Sequence, residues 1–156
     1  MKNLIIAFLS VIILVLASFL YKNSKTSIYR NFPMVEAKAE GDEVPFFLYI
    51  FFSKHNCRDC LEIIDSLNTF ESPFKVIGVV PDSELKNEME LRSQTGAEFQ
   101  LINTNKYKRY ITPYTPSVIG VSRGGRIFFV LPAVPKIKEF FEFYLDAFYQ
   151  KTLPYL

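Results

Sequence analysis

The sequence predicts an α/β protein: a mixed central sheet with helices on both faces, preceded by an N-terminal transmembrane or signal helix. Three observations carry that prediction. From residue 46 onward, continuous apolar runs of strand-forming residues alternate with amphipathic stretches. The last two strand runs are separated only by a Gly-rich turn, and the chain opens on a long uncharged apolar segment. Alternating strand and helix builds parallel β-α-β units, whereas a tight turn joins antiparallel strands, so the sheet must be mixed.

The chain divides into a leader at 1–21, a linker at 22–43 and a domain at 44–156. Residues 4–21 carry no charge and approach the ~17–25 residues that a membrane span needs. Lys2 supplies a short positive start, and the "VLA" at 15–17 suits a cleavage site, so both a signal anchor and a removed signal peptide fit, with the uncleaved anchor preferred. No cysteine follows the run, which excludes a lipoprotein anchor. Either reading places the domain outside the cytoplasm, on the periplasmic or extracellular face, or secreted after cleavage. The linker is polar, contains Pro33 and Gly41, and leaves room for an edge strand or short helix near its middle.

The elements follow in order. "FFLYIFF" at 46–52 reads as a central strand covered on both faces. A helix starts at the cysteines, with Leu61, Ile64, Leu67 and Asn68 at helical spacing, and ends at Pro73. "FKVIGVV" is a second buried strand. "PDSELKNEMELRSQTG" is a helix with Ser83 as N-cap and Gly96 as its stop. "EFQLIN" is a short strand and "TNKYKRYI" a short helix or turn. "TPYTPSVIGVS", "RGG" and "RIFFVLP" form a hairpin. The final helix puts Ile137, Phe140, Phe141, Tyr144, Leu145 and Phe148 on one face.

A net charge of +2, from 18 basic and 16 acidic residues, with no basic run interleaved with aromatics, argues against a nucleic-acid partner. The chemistry concentrates in "NCRDC", which holds both cysteines, Cys57 and Cys60. A bridge closing two intervening residues constrains the unfolded chain very little, so a structural staple explains the pair poorly. A structural zinc site needs four ligands, and the only histidine is His55, so no metal is expected. A dithiol at a helix N-terminus has a clear use: backbone N–H groups and the dipole stabilise a thiolate there. Cys57 is then the exposed nucleophile and Cys60 the resolving thiol. Lys54, His55 and Arg58 favour the thiolate and Asp59 opposes it.

With "NCRDC" after a buried strand and "TPS" ahead of a hairpin, the chain resembles the thioredoxin-like superfamily. It is most similar to its membrane-tethered, extracytoplasmic TlpA/ResA type. The stretch "PDSELKNEMELRSQTGAEFQLIN" matches that type's extra helix and strand, and "YTPSVIGVSRGGRIFFV" matches its proline loop and hairpin. The resemblance implies a thioredoxin-like fold over roughly residues 44–150. It implies that Pro116 is a cis-proline facing the dithiol, with Thr115 lending its backbone to an incoming peptide. Arg58 and Asp59, between the cysteines, would tune the potential. The implied activity is thiol–disulfide exchange on protein disulfides, with reduction preferred, no cofactor beyond a redox-active Cys57–Cys60 disulfide, and a membrane partner supplying electrons. The chain departs from the pattern in four ways. Asn56 stands where Trp is common, no proline lies between the cysteines, the first strand lacks a buried acid, and Glu62 is one residue out of register for the family's glutamate. Lys54, where a peroxiredoxin has Thr or Ser, argues against that branch. A non-catalytic thioredoxin-like binding module in a membrane assembly is the alternative.

Overall fold

The structure is a computed structural model that describes residues 12, 13, 16, 18, 32–34, 46–55, 57, 61–69, 74–112, 116–132 and 138–152. In the first of two units, Met1–Arg30, the residues Ile12, Ile13, Leu16 and Ser18 are helical. The rest of the expected anchor or signal helix lies outside the described residues. Among the described residues no helix is long and apolar enough to cross a membrane.

The second unit, Asn31–Leu156, holds a five-stranded sheet. The strands are β1 (Phe46–Phe51), β2 (Phe74–Val80), β3 (Gln100–Asn103), β4 (Ser117–Ser122) and β5 (Ile127–Pro132), in the order β3-β2-β1-β4-β5. β1, β2 and β3 are parallel, and β4 runs antiparallel to both β1 and β5, so the sheet is mixed as expected. The central position of β1 explains its unbroken apolar run, because both of its faces are covered. Period-2 geometry then sorts its residues. Phe46, Leu48, Ile50 and Phe52 join one core cluster, and Phe47, Tyr49 and Phe51 join the other.

The helices are α1 (Leu61–Thr69), α2 (Asp82–Leu85), α3 (Glu88–Thr95) and α4 (Lys138–Thr152). Helical cover is uneven. Ile63, Ile64 and Leu67 of α1, Leu91 of α3, and Phe141 and Leu145 of α4 all enter the first cluster, with Leu85 of α2 packed against it. The second cluster is closed by Tyr107, by Tyr110 of a 3-10 helix (Lys108–Tyr110), and by Phe32. Handedness explains this. The crossovers from β1 to β2 and from β2 to β3 step the same way across the sheet, and right-handed crossovers in one direction lie on one face. The chain returns from β3 to β4 across the other face, and the 3-10 helix lies on that return.

Phe32 belongs to the stretch expected to be a linker, yet it is 2 % exposed and its N–H donates to the Gly125 carbonyl at 2.7 Å. Gly125 takes φ +80° in the β4–β5 turn, and a Cβ there would sit 2.8 Å from the Phe32 carbonyl oxygen. Glycine is therefore required both by conformation and by this close approach.

Other local expectations shift. The helix expected over 81–96 breaks at Lys86 and Asn87, and its first segment is capped at Pro81 rather than Ser83, with no side-chain cap. Gly96 ends α3 at φ 71° as expected. Leu61 and Phe140, assigned to buried faces, are 42 % and 58 % exposed. The buried arc of α1 runs through Ile63, Ile64, Ser66 and Leu67, about one residue round from the expected stripe.

Candidate active site

The connection from β1 to α1 starts where Phe52 leaves the sheet, its N–H still donating to the Val79 carbonyl at 3.2 Å. Cys57 follows five residues later and is disulfide-bonded. Asn56, Arg58, Asp59 and Cys60 lie outside the described residues, so the helix N-terminus expected at the cysteines is described only from Leu61. Cys57 is 2 % exposed and belongs to the core cluster on the helical face. This corrects the expectation of an exposed nucleophile. A bonded sulfur carries no charge to solvate and packs as a small apolar group within that cluster.

The arm that leads to Cys57 is held by the segment between β2 and β3. Ser53 Oγ donates to Glu84 Oε1 at 2.7 Å, and the Lys54 backbone N–H donates to Glu84 Oε2 at 2.8 Å. The His55 N–H donates back to Ser53 Oγ at 3.3 Å, and His55 itself is exposed. Lys54 Nζ lies 3.3 Å from Glu90 Oε1, which pairs this ammonium with a carboxylate of α3. Glu62 is exposed on α1, away from the buried arc.

Pro116 immediately precedes β4, and the register puts the next residue, Ser117, opposite Phe51. Pro116 therefore sits at the end of β1 from which the Cys57 loop departs. Antiparallel pairing brings together two parts of the chain separated by about sixty residues, and it follows from strand order rather than from any local signal. Thr115 lies outside the described residues. Glu84 and Ser53 were not singled out from the sequence. A glutamate in a polar helix carries no mark of burial until the fold lays a loop over it. Among the described residues no group of His, Cys, Asp and Glu could hold a metal ion.

No protein-family model matches the chain, and no curated protein matches it. Solved structures do. A candidate thiol:disulfide interchange protein DsbE from Chlorobium tepidum is 20 % identical with a TM-score of 0.55, over 66 % of this chain and 79 % of that one. StoA from Bacillus subtilis is 14 % identical with a TM-score of 0.52, over 67 % and 85 %. The thioredoxin domain of a thiol-disulfide oxidoreductase from Bacteroides vulgatus is 15 % identical with a TM-score of 0.51, over 67 % and 79 %. At these identities the likeness is one of backbone arrangement. The chain has the thioredoxin-like α/β fold that these structures share.

Proposed function

We propose that this chain is a thiol–disulfide oxidoreductase that works through a Cys57–Cys60 dithiol on protein disulfides outside the cytoplasm, with reduction preferred. The observation that carries the reading is a disulfide-bonded Cys57 in the loop leaving the central strand of a thioredoxin-like sheet, at the end where Pro116 enters β4.

In the reducing direction the Cys57 thiolate attacks one sulfur of a substrate disulfide. A mixed disulfide forms, and the first substrate sulfur leaves as a thiolate that takes up a proton. The Cys60 thiolate then attacks Cys57 Sγ, closing the Cys57–Cys60 bond and releasing the second substrate thiolate. Two electrons pass from the dithiol to the substrate, and a thiol-bearing partner in the membrane restores the reduced form. Thr115 and Pro116 offer backbone to the incoming peptide, and Arg58 and Asp59 adjust the stability of the thiolate. The leader at 1–21 tethers the domain to the membrane on its periplasmic or extracellular side, or directs its secretion. No metal or further cofactor enters the scheme.

The burial of Cys57 favours a second reading, a thioredoxin-like binding module whose disulfide is never used. Insulin reduction by dithiothreitol separates the two. The oxidoreductase accelerates insulin precipitation, and Cys57→Ser returns it to the rate of dithiothreitol alone. Equal rates for wild type and Cys57→Ser would leave the binding module standing.

A further inference from the structure

Glu84 is the one buried carboxylate among the described residues, at 7 % exposure. Burying an ionised carboxylate is costly unless strong donors meet it. Both of its oxygens are met, one by Ser53 Oγ and the other by the Lys54 N–H. These donors lie four and three residues before Cys57, on the arm that carries the sulfur into the core. The same arm is tied a second time by Lys54 Nζ on Glu90 of α3. The Ser53 hydroxyl that serves Glu84 also accepts the His55 N–H, so one carboxylate organises three consecutive residues. The Phe52 N–H is held on β2, and the hydrogen bonds of Ser53, Lys54 and His55 reach α2, α3 or the arm itself.

Cys57 is at 2 % exposure, so a thiol reaches its sulfur only after the side chains that cover it move. In-line attack on a disulfide needs room behind the bonded sulfur, which the burial of Cys57 restricts. We propose that Glu84 is a positioning residue that latches residues 53–55, the arm that leads to Cys57, onto α2 and thereby sets how readily thiols reach the Cys57 disulfide. The inference rests on Cys57 being a redox-active sulfur, and it adds the element that controls access to it.

The test is the rate at which dithiothreitol reduces the full-length oxidised protein, read by alkylation and mass at a temperature well below unfolding. In that reaction dithiothreitol loses two electrons and two protons to become a cyclic disulfide, and the protein's S–S bond becomes two thiols. Glu84→Ala removes both acceptors, and the rate is expected to rise about fivefold or more, as for the loss of hydrogen bonds to a charged group. Ser53→Ala removes one donor and is expected to give a smaller rise. Glu84→Gln keeps an acceptor for the Lys54 N–H and is expected to stay within about twofold of wild type.

Leu91→Ala is the control for general loosening. It hollows the same core cluster without removing any of the arm's hydrogen bonds, and it should lower stability while leaving the rate near that of wild type. Equal rates for wild type and Glu84→Ala overturn the latch, as does a rise in Leu91→Ala matching that in Glu84→Ala. A protein whose cysteines never pair under air shows the reduced mass throughout, which overturns the dithiol reading and the latch with it. A latch that passes while the insulin assay fails leaves a controlled disulfide without oxidoreductase activity.

Discussion

Tyr107 shows how burial of one side chain reaches into the pH behaviour of the domain. It is 3 % exposed and rings with Phe32, Tyr49 and Phe51. Burial, and secondarily the neighbouring Tyr49, holds its hydroxyl pKa well above the ordinary tyrosine value. The unfolded chain releases this proton near pH ~10 while the folded protein keeps it. Between those two values the folded state binds more protons, so stability falls as pH rises, and below the unfolded value the contribution is fully present. The urea midpoint is expected to hold steady from about pH 7 to 9 and to decline above about pH 10. Tyr107→Phe should make that decline shallower. At this same scale the cysteine pair was legible as chemistry from spacing alone. The burial of Cys57 and the grip of Glu84 on the residues before it were not, because the Ser53–Glu84 contact spans 31 residues and exists only once the chain is folded against α2.

Among the elements, the β4–β5 hairpin combines a turn the sequence announces with a packing detail it hides. Gly124, Gly125 and the flanking apolar runs mark the turn. A register shift lies between Gly120 and Val121, with Gly120 opposite Phe129 and Val121 opposite Ile127. Phe128 is the extra residue, and both it and Phe129 reach Phe148 of α4, with centroids 5.5 and 5.1 Å away. The Phe129 ring fills the space a side chain on Gly120 would take, and a Cβ there would come within 2.3 Å of it. Gly120→Ala must displace a ring already wedged against Tyr144 and Phe148. It is expected to cost about 1–3 kcal/mol. Gly124→Ala meets nothing nearer than Ser122 Oγ at 3.9 Å and is expected within about 0.5 kcal/mol of wild type. Equilibrium urea unfolding of the two variants checks the contrast. The exposed Leu61 and Phe140 teach the same lesson, since periodicity locates a stripe to within a residue or so and the neighbouring helix decides which residue is covered.

For the whole molecule, the question is where the domain begins. Apolar alternation points to a start near residue 44, but Phe32 closes the face of the sheet that α1 to α4 leave uncovered. It packs on Tyr49, Tyr107 and Tyr110 with centroids 4.5 to 5.2 Å away. A fragment of residues 31–156 is expected to unfold with the urea midpoint of the longer chain. A fragment of residues 44–156 should lose about 3–5 kcal/mol, the scale of deleting a buried phenylalanine. Equal midpoints for the two fragments would show that Phe32 contributes nothing to the fold.

The sequence by itself determined the mixed sheet and the strand and helix order, and it singled out the two cysteines as the candidate dithiol. These depend on local periodicity, turn chemistry and the spacing of two cysteines, all of which are written along the chain. Tertiary structure decided which face each helix covers, that Phe32 seals the other face, that Pro116 lies beside the end of β1, and that Glu84 grips the arm bearing a buried Cys57. Each of these is a contact between distant segments, set by crossover handedness and strand register, quantities that exist only when the sheet is assembled.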